Sequence, residues 1–530
     1  MITDSKAFQY YIAADNMMSG EKISVERGPP EDDMEVAQNS SPSDEGLPAT
    51  ARIDAHMKKF ERRLLEYHLE ARGIQRVEEN ERIQLTWISY LQVFLLWVSI
   101  NLVASNITLG MLGPIVYGLS FTDSLLGSVF GAIVGSLAAA WMATWGPISG
   151  NRTLVVGRYA MGWWPSKLVV LLNILQMLGY CLINCVVGGQ ILSAVSPNSS
   201  MSVAVGIVII AIISWVVATF GIETFHYFER FAFLPQLVII CILFGVSSTN
   251  YDLEASSQGD PRTFTGNRLS FFSICLSAAI TYAPLAADFF VYYPALTPKS
   301  VCFILTFLGL VLSFTMTFVV GVGLATGVYT HAEYSAAWSS GAGALIVEGF
   351  GPLGNFGKFC SVIVALGLVS NCIPPSYSSG IDFQILGRYA ERIPRIAWNA
   401  FGVLIYTVCA LAGRAHLSEI FTNFLALMGY WVAIWMAIFL EEHYLFRQKS
   451  GYNWSVWNDQ TMLPVGVAAL IAFLVGWAGA ILCMAQVWYV GPLAKLIGEY
   501  GADMGNYVGF SWAALIYPPL RHIERCHFGR

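Results

Sequence analysis

From Ile88 onward the chain is a succession of apolar runs, each close to the ~20 residues that a helix needs to cross a hydrocarbon core. The pattern predicts spans near 92–118, 124–146, 166–195, 201–220, 231–248, 268–292, 301–329, 353–376, 396–412, 416–441, 462–486 and 503–518. The expected fold class is therefore an all-α polytopic membrane protein of about twelve transmembrane helices. Ahead of these runs the pattern changes. Up to about Leu47 the chain is rich in Ser, Pro, Asp and Glu, a composition that cannot bury enough apolar surface to fold. Ile53–Ile83 reads as a charged helical stretch with Phe60, Leu64 and Tyr67 on one face, suited to an inner membrane surface, to solvent, or to trafficking. The expected organisation is a tail over 1–86, a transmembrane domain over 87–520 (one half over 92–248, a second over 268–441, extra helices over 462–518) and a short tail over 521–530.

Two runs are interrupted where a plain anchor would be continuous. WVSINLVASNITLGMLGP, Trp97 to Pro114, carries Asn101, Ser105, Asn106 and Thr108 and ends in a Gly110, Gly113, Pro114 series. Five runs later, SAAITYAPLAADFF is broken at Ala283–Pro284. Freed backbone groups are tolerated at membrane depth only where they line a protein-enclosed cavity. Paired breaks in corresponding helices of two inverted repeats point to a substrate site at the midplane of a secondary transporter. The expected architecture is thus a five-plus-five inverted repeat with two additional C-terminal helices. Gly127, Gly131 and Gly135 recur every fourth residue in span two, which fits close approach of a neighbouring helix. The glycines of GVGLATG, Gly321 to Gly327, match no phosphate-binding pattern and are assigned no ligand.

Charge orients the spans. Arg152, Arg158, Lys167, Arg230, Lys299, Arg388, Arg392, Arg395, Arg447 and Lys449 gather on the N-terminal side, against Arg262, Arg268, Lys358, Arg414 and Lys495 opposite. The positive-inside rule then puts both termini in the cytoplasm, with insertion starting at an internal helix because no signal peptide is present. A glycosylation sequon at Asn198 faces outside in a loop too short to favour modification. Overall the chain is 55% hydrophobic and 12% charged, with a net charge of −6, which offers nucleic acid no basic surface. The ten cysteines lie mostly in apolar runs, without metal or disulfide spacing. No HExxH, GxSxG or histidine cluster suggests an enzyme.

Polar residues inside the spans are the candidate chemistry. In span three Tyr180 and Asn184 share a helical face, with Asn173 and Gln190 farther along. An amide pairs donor with acceptor, as a heterocycle edge does, although Asn184 could equally bond a neighbouring helix. In span eight Asn371 precedes Pro374 and Pro375, where the helix is expected to lose its regular hydrogen bonds and an amide beside freed carbonyls makes a polar niche, although the prolines could merely end the helix at the inner surface. Span six supplies Tyr282 at its break and Asp288 two turns on, a candidate for gating or proton binding, or a structural anchor bonded to backbone or a loop arginine. A cavity of Asn, Ser and Tyr without a fixed cation suits a small neutral or zwitterionic ligand.

These stretches resemble the fungal purine-cytosine permeases of the nucleobase-cation-symport-1 family, from about Arg72 to the last span. The likeness is carried by EARGIQRVEENERI, WVSINLVASNITLGMLGP, GRYAMGWWPSKL, NCVVGGQILSAVS, AADFFVYYP and SNCIPPSYSSGIDFQILG. The resemblance implies a leucine-transporter-like fold that imports cytosine and purines (adenine, guanine, hypoxanthine) with protons across the plasma membrane. It places substrate contacts on Ser105, Asn106, Tyr180, Asn184, Tyr282, Asn371 and Pro374, with the base held between aromatic rings and read by amides. The proton is the implied coupling ion, sodium being an alternative, and no cofactor or metal is implied. Tyr180 and Tyr282 stand where many relatives have Trp, and Cys372 where some have a second Asn, so the ligand could be another heterocycle such as a nucleoside, a vitamin or an allantoin-like compound. A non-transporting membrane sensor of bases is the reading from a different class. The partners expected are the small-molecule base and the lipid bilayer, with the oligomeric state open.

Overall fold

The computed structural model describes residues 74–196, 200–220 and 222–530. Most of the charged stretch Ile53–Ile83, with Phe60, Leu64 and Tyr67, and the Asn198 sequon lie outside them. The end of that stretch that is described is not an α-helix. It holds one 3-10 turn, Glu79–Glu81, and its backbone donors are spent on the transporter body: Val77 N–H on the Gly150 carbonyl at 2.8 Å and Ile83 N–H on the Tyr292 carbonyl at 2.9 Å.

Span one is Trp87–Asn101 plus Ala104–Ile115, bent by 53° between them. Span two is Phe121–Ala143, followed by the short helices Trp145–Ser149 and Thr153–Met161; span three is Pro165–Val195, span four Val203–Phe220 and span five Ile222–Ser247. Span six is Pro261–Ile280 continued by a 3-10 segment, Ala283–Phe290, and span seven is Lys299–Gly327. After the hairpin of Ala332–Ser340 and Ala342–Gly349 come span eight (Asn355–Ile385), span nine (Arg395–Gly413) and span ten (Leu417–Glu441) with one π-helical turn, Glu442–Arg447. Val467–Cys483 and Gly505–Phe528 complete the chain. Among the described residues seven helices, or eight counting the bent pair, are long and apolar enough to cross a bilayer, and three shorter apolar helices accompany them. The expected number of about twelve is reached only by adding those three and the final helix.

The packing carries the signature of an inverted repeat. Exchanging spans one with six and two with seven converts the contact of span two on span six into that of span seven on span one, and both are extensive. Span three runs along span eight, and the contact of span four on eight has its counterpart in span nine on three. Glycine makes the first two contacts close. A Cβ at Gly131 or Gly135 would fall 2.8 Å from the Phe272 carbonyl or 2.4 Å from the Leu276 carbonyl of span six. A Cβ at Gly321 would fall 2.0 Å from the Ile107 carbonyl of span one. The glycines of GVGLATG therefore serve helix packing.

The expected interruptions differ in detail. Span one is not interrupted over Ser105 to Pro114, which is helical, but at Leu102 and Val103, with Val103 extended at φ −133° and ψ 154°. Gly110 admits the Phe318 carbonyl of span seven, so the glycine series there allows contact and does not unwind the helix. Span six leaves the α-helix at Thr281–Tyr282, ahead of Pro284, which sits in the first turn of the 3-10 segment where its missing N–H costs nothing. Span eight does not end at Pro374 and Pro375 but runs through both to Ile385. The prolines remove the donors that would satisfy the carbonyls four residues earlier, at Ser370 and Asn371, while neighbouring spans hold the helix on its course.

Candidate functional site

The site is built from the break of span one outward. Leaving the helix at Leu102 frees the carbonyls of the preceding turn. Asn106 Nδ2 donates to the Asn101 carbonyl at 2.9 Å, and Asn101 Nδ2 donates back to the Trp97 carbonyl at 3.1 Å. The Ile100 carbonyl is satisfied from another helix: Asn371 Nδ2 of span eight donates to it at 2.5 Å. Asn371 Oδ1 in turn accepts from Asn184 Nδ2 of span three at 2.6 Å. Three spans thus meet through one amide, and Asn106 satisfies a second carbonyl, that of Asn101, at the break.

Beside this junction lies a cavity of about 450 Å³ of non-atom space, part of it open to solvent. Its walls are Ile100 of span one, Met177 and Tyr180 of span three, Thr281, Tyr282, Leu285 and Phe289 of span six, and Asn371, Pro374, Pro375 and Ser378 of span eight. Tyr282 meets Trp97 edge-on at 5.9 Å between centroids, and Trp97 meets Phe289 at 4.8 Å, so one wall is an aromatic cluster backed by a fully buried indole. Opposite, the Tyr180 hydroxyl pairs with Thr281 Oγ1 at 2.5 Å and its ring meets Phe424 of span ten edge-on at 5.8 Å. The break in span six places Thr281 there, and Gln176 Nε2 fastens it by donating to the Thr281 carbonyl at 2.8 Å. Such a slot, apolar on its faces and hydroxyl- or amide-bearing on its rim, presents the kinds of surface that the face and the edge of a flat ring require.

Of the residues expected at the site, Tyr180, Tyr282, Asn371 and Pro374 line the cavity, and Asn184 stands behind Asn371. Ser105 is buried away from the cavity wall, and Asn106 caps the break. Asp288 is not at the cavity. It accepts from the Thr153 backbone N–H at 2.6 Å and hydroxyl at 2.9 Å, with Arg152 at 3.7 Å, and so ties the end of span six to the short helix preceding span three. Its geometry is that of the structural anchor. Sequence reasoning passed over Trp97, Thr281 and Phe289; each lies within or beside a quoted motif, but nothing in the spacing shows which side chains the bends turn inward.

The sequence and the fold that carry this cavity are similar to those of known proteins. The family model described as permease for cytosine/purines, uracil, thiamine and allantoin matches residues 77–501. The chain belongs to that family. The vitamin B6 transporter TPN1 of Saccharomyces cerevisiae is 34% identical, over 87% of this chain and 88% of its own. The purine-cytosine permease fcyB of Emericella nidulans is 35% identical, over 90% of this chain and 93% of its own. Among solved structures Mhp1, a nucleobase-cation-symport-1 family transporter in a closed conformation with bromovinylhydantoin bound, aligns with a TM-score of 0.64 at 14% identity, over 86% of this chain and 96% of that one. The permease fold therefore extends over nearly all of the described chain, which is a multi-pass membrane transporter and not an enzyme.

Proposed function

We propose that this permease imports nucleobases, cytosine and purines, by proton symport across the plasma membrane, with both termini cytoplasmic and alternating access around the bound base. The observation that carries the reading is the junction of Asn371 with the Ile100 carbonyl at the wall of an aromatic slot. A base edge that offers an acceptor beside a donor can replace the Ile100 carbonyl at Asn371 Nδ2 while its ring lies against Tyr282. Asn184 keeps the Asn371 amide oriented during that exchange.

A second substrate, vitamin B6, is favoured by a specific feature. Asn371 is the one amide side chain among the cavity's described lining residues, whereas Tyr180, Thr281, Tyr282 and Ser378 all present hydroxyls. A pyridine ring carrying hydroxyl groups matches that rim, and one of the similar proteins is named a vitamin B6 transporter.

Uptake of radiolabelled cytosine, adenine, hypoxanthine and pyridoxine into cells lacking their own permeases, at outside pH 5 and 7.5 with and without a protonophore, tests the reading. Saturable base uptake that rises at acid pH and collapses with the protonophore is expected. Uptake of pyridoxine alone would transfer the site to the vitamin. Uptake of none, with the protein at the cell surface, would overturn import of either substrate.

A further inference from the structure

A second cleft lies far from the substrate slot, where the π-helical turn Glu442–Arg447 at the end of span ten meets the end of the final helix. Glu442, Phe446, Arg447, Ser450, Met462, Arg521, Arg525 and Arg530 line about 400 Å³ of non-atom space. Its floor is a closed ion network. Arg521, 1% exposed, holds Glu442 through Nε and Nη2, each at 2.9 Å, and reaches Glu524 at 3.2 Å, while Arg447 Nε holds the same Glu442 at 2.7 Å. Both buried carboxylates are thus occupied by two of the four arginines.

The other two guanidiniums are left over at the mouth. Arg525 makes a 3.4 Å contact with the Phe446 carbonyl and lies over that ring at 5.7 Å; Arg530 makes a 3.4 Å contact with the Gln460 carbonyl and feels the exposed Asp459. Among the described residues neither has an ion pair within 4 Å, and 3.4 Å to a neutral carbonyl is a weak use of a charge-assisted donor. Exposed apolar side chains stand close by among polar ones: Tyr444, Leu445, Met462 and Ile523 are each at least half exposed. Guanidiniums without a carboxylate within 4 Å, opening beside exposed apolar side chains at the end of a spanning helix, are the setting in which anionic headgroups bind between helices.

We propose that this cleft binds a phosphate group, that of an anionic membrane lipid, with Arg525 and Arg530 as the ligands and the Arg447–Glu442–Arg521 network as their rigid base. The planar fork of arginine engages two phosphate oxygens at once, and the lipid's acyl chains would run along Leu445 and Met462. A soluble phosphate offers the same headgroup chemistry without the apolar contact, so the two sources can be separated.

The test uses the full chain purified in neutral detergent and titrated with short-chain phosphatidylinositol 4-phosphate, short-chain phosphatidylcholine and free inositol phosphate, read by binding and by the shift in Tm. Saturable binding of the phosphoinositide, with a raised Tm, at least about tenfold tighter than phosphatidylcholine and weakened by salt, is expected. The double variant R525Q/R530Q, outside the buried network, should keep the parent's Tm in phosphatidylcholine and lose about tenfold or more of that affinity. Equal affinity for free inositol phosphate would keep the anion site and overturn the lipid as its source. No preference over phosphatidylcholine, or unchanged affinity in the double variant with its fold intact, would overturn the proposal.

Discussion

Asn184 Nδ2 donates to Asn371 Oδ1 at 2.6 Å, joining spans three and eight beside the break in span one. Because the other end of the Asn371 amide holds the Ile100 carbonyl, the two asparagines play different parts. Asn371 faces the cavity; Asn184 fixes which way its amide points.

Asn371→Ala should therefore reduce substrate uptake more than Asn184→Ala does. Loss of a buried hydrogen-bonding group costs about 1–3 kcal/mol, which for Asn371→Ala corresponds to about fivefold to 150-fold in uptake efficiency. For Asn184→Ala the expected change is mainly a higher KM at normal surface expression. Radiolabelled uptake normalised to surface protein measures both, and full transport in the two variants would remove these residues from the site.

Thr281→Val and Tyr180→Phe break the same 2.5 Å hydroxyl pair from opposite sides. Each should raise KM by about twofold to tenfold, the range of a hydrogen bond worth roughly 0.5–1.5 kcal/mol. The double variant should be no worse than the more severe single one, since residues acting through one contact are not additive. Additive effects would show that each hydroxyl meets the substrate separately.

Asp288→Asn probes the anchor between span six and Thr153. Its two hydrogen bonds, at 2.6 and 2.9 Å, and the nearby Arg152 predict a loss of stability of about 1–3 kcal/mol, seen as a lower Tm and less surface protein, with KM unchanged in what remains. A variant of normal stability whose uptake no longer responds to outside pH would instead make Asp288 the proton-binding group.

Gly321→Ala should force spans one and seven apart, because the new Cβ would sit 2.0 Å from the Ile107 carbonyl, a backbone atom that cannot rotate away. Overpacking of this kind costs about 1–3 kcal/mol, and the shift would reach the break at Leu102, so Tm and uptake should fall together. Gly245→Ala, with nothing within 4 Å of its Cβ, is the control and should leave both unchanged.

Much of this protein was written along the chain. Apolar runs of spanning length, the interruptions in spans one and six, the four-residue glycine repeat of span two and the asparagine before Pro374 are local patterns. Each follows from the bilayer's demand for satisfied backbone or from helical spacing. They were enough to indicate an inverted-repeat transporter, while the resemblance to the purine-cytosine permeases brought Tyr180, Tyr282, Asn371 and Pro374 forward as candidate site residues.

What tertiary structure decided was where each interruption falls and whom the freed groups bond. Glycine and proline in Gly110 to Pro114 read as a breaker, but span seven packs onto Gly110 and spans two and six onto Gly113, and the helix unwinds at Leu102 instead, where Asn106 and Asn371 supply the missing partners. Pro374 and Pro375 read as an end, yet span eight continues because its neighbours hold it. Asp288 turned to Thr153 and Trp97 to the aromatic wall, through contacts more than a hundred residues apart in sequence. A sequence fixes which groups lack partners inside a membrane; which distant group becomes the partner depends on the packing of the whole bundle.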